Sequence, residues 1–414
     1  MGGAFRPRFN RTRIAEIRKI EFPGDLVPDE HSPLQAIIPN RIRTQGRITF
    51  ADYMAACLYE PGLGYYTSPG RKVGAEGDFY TSSNVHAIFG RLVAREIVRM
   101  DELLGAPERF DLVEVGAGNG RLTRDILDYL GAEAPGLYAR LACRLIEAEP
   151  TLQAVQKEML GPHADIAAWH TPAELTSGQL SLTGCLYSNE LIDSFPVHLV
   201  EMTPGGLKEV YVTLRNGEPA EEFGEPSTPE LATYLERLGI TLMEGKRAEI
   251  NLAAPRWLAA VAASMQRGFV LTIDYGYEAV DLFSPARLAG TLLCYHRHRV
   301  EESPYVRPGE QDITSHVDFT TLMKVGEEVG LATVWFGEQY RFLMAVGFME
   351  EMMRLESSDV SEEEKLKVRL FMKKLILPEG GMGDTFRVLV QAKGVKTPRL
   401  LCMSDWTGYK GWGG

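Results

Sequence analysis

The sequence has no pair of cysteines close enough to staple a loop or clamp a metal. Its five cysteines, Cys57, Cys143, Cys185, Cys294 and Cys402, are scattered, odd in number and never spaced Cys-x-x-Cys. That pattern indicates neither a disulfide framework nor a zinc knuckle and fits a reducing compartment. A basic excess is also absent: 44 Lys and Arg stand against 56 Asp and Glu, a net charge of -12. Broad nucleic-acid faces work by neutralising phosphates, so none is expected, although a local basic groove stays open. No uncharged apolar run reaches the roughly 18 residues of a membrane span, and the N-terminus lacks the apolar core of a secretory signal. The expectation is a protein neither inserted in a membrane nor exported. Acids are missing from the first 13 residues, which carry Arg6, Arg8, Arg11 and Arg13. A frayed basic tail is the preferred reading and a mitochondrial presequence the other, giving a bacterial cytoplasmic location, or the mitochondrial matrix in a eukaryote. Internal repeats and low-complexity blocks are absent as well.

What is present is enough apolar text, 45% of 414 residues, for one large core with elaborations or two to three smaller ones. The first eighty or so residues mix short helical patterns with turns such as Glu60-Pro61-Gly62-Leu63-Gly64, an N-terminal elaboration. From about Phe110, short apolar runs alternate with amphipathic stretches, the signature of strand-helix units around a parallel sheet. Phe110 to Val115 reads as a buried strand, and Arg121 to Leu130 as a helix with Leu122, Ile126, Leu127 and Leu130 on one face, closed by Gly131. Cys143 to Ile146 leads into a second helix, Thr151 to Leu160, between Pro150 and Gly161. Further strands are expected at 184–188, 269–273 and 386–391. Residues 201–262 hold more text than one crossover needs and read as an insertion.

The chemistry gathers first in Gly116-Ala117-Gly118-Asn119-Gly120. A glycine-rich turn between a strand and its helix lets backbone approach a ligand closely. The dinucleotide fingerprint wants its third glycine where Arg121 stands, which weakens a nicotinamide reading. S-adenosylmethionine (SAM) has a sulfonium, an amino-acid end and a ribose instead of a pyrophosphate. Glu114 can sit near its cationic methionine end, and Glu147, closing the second strand, can accept from both ribose hydroxyls. Each acid alone has an ordinary explanation, as an ion-pair partner or a solvated helix-opening residue; together they point to SAM.

Asn189-Glu190-Leu191-Ile192-Asp193 follows the strand expected at 184–188, where doubly wound sheets place the reacting partner. Methyl transfer from a sulfonium is an in-line displacement, so the protein must align the acceptor, exclude water and take up a proton. Glu190 and Asp193 could hold a guanidinium through charge-assisted bonds, while Asn and Asp there also suit helix capping. Gly77 to Asn84 and Gln311 to Phe319 are too polar and glycine-punctuated for simple packing and could line the same crevice; the first also reads as a turn entering a helix over 85–100. Cys294, His296 and His298 alternate along one strand face, but no partner cluster completes a metal site, and none is expected. Met344, Met349, Met352 and Met353 either form an adaptable interface or, more simply, fill a core between helices.

These motifs resemble the MidA-like class I methyltransferases. The likeness rests on Gly74 to Gly90, Val113 to Gly120, Asn189-Glu190 with Asp193, Pro196-Val197-His198, Asp274-Tyr275-Gly276 and Gly290-Thr291-Leu292. It extends to Asp312-Ile313-Thr314, Val317-Asp318-Phe319 and Gly383-Asp384-Thr385-Phe386. Ser83-Asn84 stands where the family usually carries a glutamate. The resemblance implies an α/β fold: a seven-stranded Rossmann-like class I core (86–200 and 263–396), an N-terminal helical elaboration lining the site (1–85), an inserted α/β segment for substrate recognition (201–262) and a tail (397–414). It implies SAM held by Gly77, Asp78, Thr81, Glu114, Gly116, Gly118, Gly120, Glu147 and Asn189, with Asn189, Glu190 and Asp193 at the chemistry. In the family's mitochondrial members the acceptor is an arginine of a respiratory complex I subunit, so a protein substrate is expected here and a homodimer is left open. The alternatives are a SAM-binding assembly chaperone without turnover, or a methyltransferase for a small molecule or RNA.

Overall fold

The computed structural model describes residues 32–68, 87–297, 299–301, 303–377, 382–383 and 385–404. Seven strands build the central sheet: β1 Phe110–Val115, β2 Leu141–Ile146, β3 Ala167–His170, β4 Leu182–Asn189, β5 Met265–Tyr277, β6 Ala332–Glu338 and β7 Phe386–Lys393. Their spatial order is β3-β2-β1-β4-β5-β7-β6. β1 to β5 run parallel and β7 antiparallel to both of its neighbours. A short strand, Val317–Asp318, pairs with the end of β5.

Period-two alternation explains the layering. Leu112, Cys185, Leu271 and Val388 point into one core with Phe89, Leu122, Phe342 and Met372. Their neighbours Val113, Leu186, Val270 and Leu389 point into the other, with Leu258, Phe319 and Leu322. Strands apolar on both faces demand helices on both faces. The helices Ile88–Leu103 and Arg121–Glu133 cover the first face, and Ala253–Ser264 and Phe319–Glu328 the second. Met344, Met349 and Met352 pack against the first core, which favours the core-filling reading, while Met353 is exposed.

A second, antiparallel sheet forms from Ile48–Thr49, His198–Thr203, Gly206–Arg215, Glu218–Gly224 and Arg247–Ile250. Leu199 faces a core shared with the helices Leu34–Gln45 and Phe50–Tyr59, while Val200 faces the helix Glu230–Leu238. The sheet therefore starts before residue 201 and recruits a strand from the N-terminal region. Helix Ala253–Ser264 packs on the central sheet rather than with the insertion. Gly131 does not close its helix, which runs on to Glu133 with Ala134 at its end.

Candidate functional site

β1 is the switch point of the sheet, because the chain leaves it toward β2 on one side and returns as β4 on the other. In such sheets a crevice opens beyond the carboxyl ends of the strands there. The turn after β1 fills its rim with Gly116, Gly118 and Gly120 at φ of 71°, 54° and 83°, a region that side chains with a Cβ rarely adopt. At Gly116 a Cβ would also come 2.7 Å from Leu191 Cδ1. The loop is thereby pressed against the segment that carries Asn189, Glu190 and Asp193. Gly120 then opens helix Arg121–Glu133, whose free N–H groups end at the loop.

Glu114 lies beneath this loop, buried. Thr123 Oγ1 donates to its Oε2, and the Tyr187 hydroxyl does so at 3.3 Å. Burial outweighs these bonds and pushes the carboxyl up to about 7. Glu147, at the end of β2, accepts the Glu149 amide on Oε1 at 3.0 Å and Gln156 Nε2 on Oε2 at 2.8 Å. Burial raises its pKa as well. A carboxylate has about four lone-pair sites, so acceptor capacity remains for vicinal hydroxyls.

On the other side of the loop, acids crowd together. Asn189 Nδ2 donates to Glu190 Oε1 at 3.1 Å, and the Tyr275 hydroxyl donates to Glu190 Oε2 at 3.3 Å. Glu190 sits at φ 52°, a left-handed conformation rare for a glutamate, and its amide donates to Ile273 O at 2.9 Å. Strain of this kind persists where surrounding structure over-determines the backbone. Asp274 anchors the next turn: its Oδ2 accepts the amides of Leu191, Ile192 and Asp193 at 3.2, 2.8 and 3.4 Å, and its Oδ1 that of Tyr275 at 2.8 Å. Burial still lifts Asp274 to about 7. Asp193 is raised well above the carboxylate range by burial first, then by the charges of Asp274, Asp312 and Glu190. The N-terminal helical unit reaches the same place. Tyr59 donates to Ser194 O at 3.0 Å, and Tyr66 to Asp312 at 2.9 Å. Tyr275 also stacks on the His316 ring, 6.3 Å between centroids, and burial lowers His316 to about 4.

Of the residues expected from sequence, Glu114, Gly116, Gly118, Gly120, Glu147, Asn189, Glu190 and Asp193 all lie at or just beyond the carboxyl ends of β1, β2 and β4. Gly77, Asp78, Thr81, Ser83 and Asn84 lie outside the described residues, as does His298. Among the described residues no group of three His, Cys, Asp or Glu side chains could hold a metal ion, and no helix is long and apolar enough to cross a membrane. Sequence reasoning missed Gln156, Tyr59 and Tyr66, whose roles depend on partners distant in the chain. It left Tyr275 without a role.

A central sheet of this order, parallel but for β7, with an acid-flanked glycine turn at its switch point, defines a class I methyltransferase. The chain belongs to the family described as S-adenosyl-L-methionine-dependent methyltransferases, whose pattern it matches over residues 92–337. Among curated relatives, the Drosophila melanogaster protein arginine methyltransferase NDUFAF7 homolog, mitochondrial, is 29% identical over 72% of this chain and 71% of its own length. The Danio rerio protein arginine methyltransferase NDUFAF7, mitochondrial, is 28% identical over 84% of each. A solved protein from Burkholderia thailandensis, bound to S-adenosyl-homocysteine, superposes with a TM-score of 0.81 at 29% identity, covering 90% of this chain and 94% of its own.

The crevice fits the cofactor chemically. Asn189 Oδ1 is buried and finds no hydrogen-bond partner among the described residues, an acceptor waiting for a ligand's donor. Glu147 keeps acceptor capacity beyond its bonds from Glu149 and Gln156, and at Gly116 and Gly120 a Cβ would press on Leu191 and Gln156, so the glycines let the loop lie close against both. SAM supplies a methyl group on a sulfonium, which no side chain provides.

Proposed function

We propose that this chain methylates a guanidinium nitrogen of an arginine in a partner protein, using SAM held over Gly116 to Gly120 with its ribose on Glu147. The observation that carries the reading is the gathering of Glu190, Asp193, Asp274 and Asp312 near the glycine loop, with Tyr275 hydrogen-bonded to Glu190 and Tyr66 to Asp312. Buried carboxylates in such density are costly without a cation, and a planar guanidinium satisfies two of them through paired N–H···O bonds.

In this reading Glu190 grips the guanidinium, its own carboxylate pinned by Asn189 and Tyr275. As the nitrogen–methyl bond forms and the sulfur–methyl bond breaks, the nitrogen sheds a proton. Asp193, whose burial makes it a stronger base than an ordinary aspartate, is placed to take it. The tyrosines and the N-terminal helices would exclude water, and the second sheet from His198 to Ile250, with its helix Glu230–Leu238, is the part that would recognise the partner. The relatives' activity as protein arginine methyltransferases supports the same acceptor.

The test is to incubate the protein with methyl-labelled SAM and cell extract, hydrolyse the labelled protein in acid and identify the labelled amino acid. Methylarginine is expected with the wild type, and none with Glu190→Gln at matched S-adenosylhomocysteine occupancy. Label in another amino acid, or only in small molecules, contradicts the reading.

A further inference from the structure

Gln156 belongs to none of the motifs, yet it is fully buried in the helix Pro150–Leu160. Its Nε2 donates twice, to Gly118 O at 2.9 Å and to Glu147 Oε2 at 2.8 Å. Its Oε1 accepts the Trp169 indole N–H at 2.9 Å. This arrangement fixes the amide in one orientation. Turned over, it would set its N–H groups against the indole N–H and its oxygen against two acceptors, so the alternative leaves every partner unsatisfied in a dry site. The indole is a donor only and cannot adapt. Gln156 also backs the third glycine, since a Cβ at Gly120 would lie 3.3 Å from Gln156 Cα.

We infer that Gln156 is a positioning residue for the cofactor: beyond the Gly116 amide bond to Ile146 O at 3.1 Å, it is a side-chain joint that ties the glycine loop to the ribose-binding carboxylate itself. The inference rests on the placement of the ribose at Glu147. In the proposed placement the Gly118 carbonyl belongs to the loop under the methionine end, and Glu147 holds the ribose. One amide tied to both couples the two halves of the site. With Gln156 in place, Glu147 Oε1 is held by the Glu149 amide and Oε2 by Gln156, so the carboxylate cannot rotate and its remaining lone pairs point one way. Trp169, on β3, anchors the joint to the sheet. β3 is an edge strand whose His170 carbonyl also accepts the Glu147 amide at 2.8 Å, so the Trp169 bond adds a second tie between this strand and the ribose carboxylate.

The experiment compares S-adenosylhomocysteine with its 2′-deoxy analogue by isothermal titration on the full chain, for wild type, Gln156→Leu, Gln156→Glu and Glu147→Ala. Gln156→Leu keeps the bulk and removes all three bonds. Its expected effect is a loss of about tenfold or more in S-adenosylhomocysteine affinity and a collapse of the discrimination between the two ligands, because a loose carboxylate no longer reads the hydroxyl. A merely structural role would weaken both ligands equally. Gln156→Glu covers the case in which the leucine variant does not fold. Ionised, its carboxylate faces that of Glu147 and the Gly118 carbonyl; with one shared proton it can donate to Glu147 again. Its affinity relative to wild type is therefore expected to recover as pH falls from 8 to 6, with the discrimination returning alongside. Unchanged ligand discrimination in Gln156→Leu, or a pH-independent deficit in Gln156→Glu, overturns the inference when Glu147→Ala still lowers affinity. If Glu147→Ala binds like wild type, the ribose placement itself is wrong and the inference goes with it.

Discussion

Gly118 and Glu114 carry the account at the scale of single residues. At φ 54°, Gly118 holds a conformation that a β-branched side chain adopts only under strain, and its carbonyl is one of the three hydrogen-bond partners of Gln156. Gly118→Val is expected to abolish SAM binding while circular dichroism stays that of the wild type; wild-type affinity in a folded variant would contradict the site. Glu114 makes a pH prediction. Its carboxyl is raised to about 7 against an ordinary value of 4.5, so the folded protein keeps a proton that the unfolded chain releases in that interval. Stability from this group is therefore full below about 4.5 and is lost as pH rises toward 7. Ligand binding runs the other way, because the sulfonium of SAM favours the ionised acid and the neutral sulfur of S-adenosylhomocysteine does not. SAM affinity relative to S-adenosylhomocysteine is expected to rise between pH 6 and 8 by up to about tenfold, and Glu114→Gln to flatten the part due to Glu114. An identical slope in that variant would remove Glu114 from contact with the cationic end.

Among elements, β4 and β5 approach each other through two facing glycines. A Cβ on Gly268 would overlap the Gly184 carbonyl, and one on Gly184 would overlap the backbone of Asp111 on β1. Gly268→Ala is expected to cost about 2 kcal/mol or more, read as a lower denaturant midpoint with unchanged slope; an unaltered midpoint would contradict the close approach. Strands like these were legible in the sequence because β1 and β5 are buried on both faces and read as apolar runs. β3 and β6 were not, since both are only half-buried and their residues do not alternate cleanly. The second sheet escaped for a different reason: Ile48 pairs with Val212, a partner that no local pattern announces. The glycine turn, Glu147 and the Asn189 to Asp193 segment were legible because their spacing to a strand end is local. Gln156 looks like any polar helix residue until Gly118, Glu147 and Trp169 are brought around it by the sheet.

For the whole molecule, the central sheet, the N-terminal helices and the strand Asp312–Thr314 converge on one place. Tyr59 and Tyr66 come from the N-terminal unit, Asp312 from a strand after β5, and Glu190 and Asp193 from the end of β4. The acids repel one another and three of them are buried, so the assembly holds charge at some expense to stability, which a cationic acceptor would relieve. Raising the pH from 6 to 8 should accordingly lower the thermal midpoint of the ligand-free protein, as Asp274 and Glu114 lose protons through about 7, and an arginine-containing acceptor should restore part of it. A midpoint independent of pH over that range would contradict the raised carboxyls. The most direct test of the central claim is a crystal structure of the protein with S-adenosylhomocysteine. The account predicts the ribose hydroxyls on Glu147, the amino-acid end over Gly116 to Gly120, and the sulfur turned toward Asn189 and Glu190. A ligand bound elsewhere, or a sulfur facing away from that pair of residues, would contradict it.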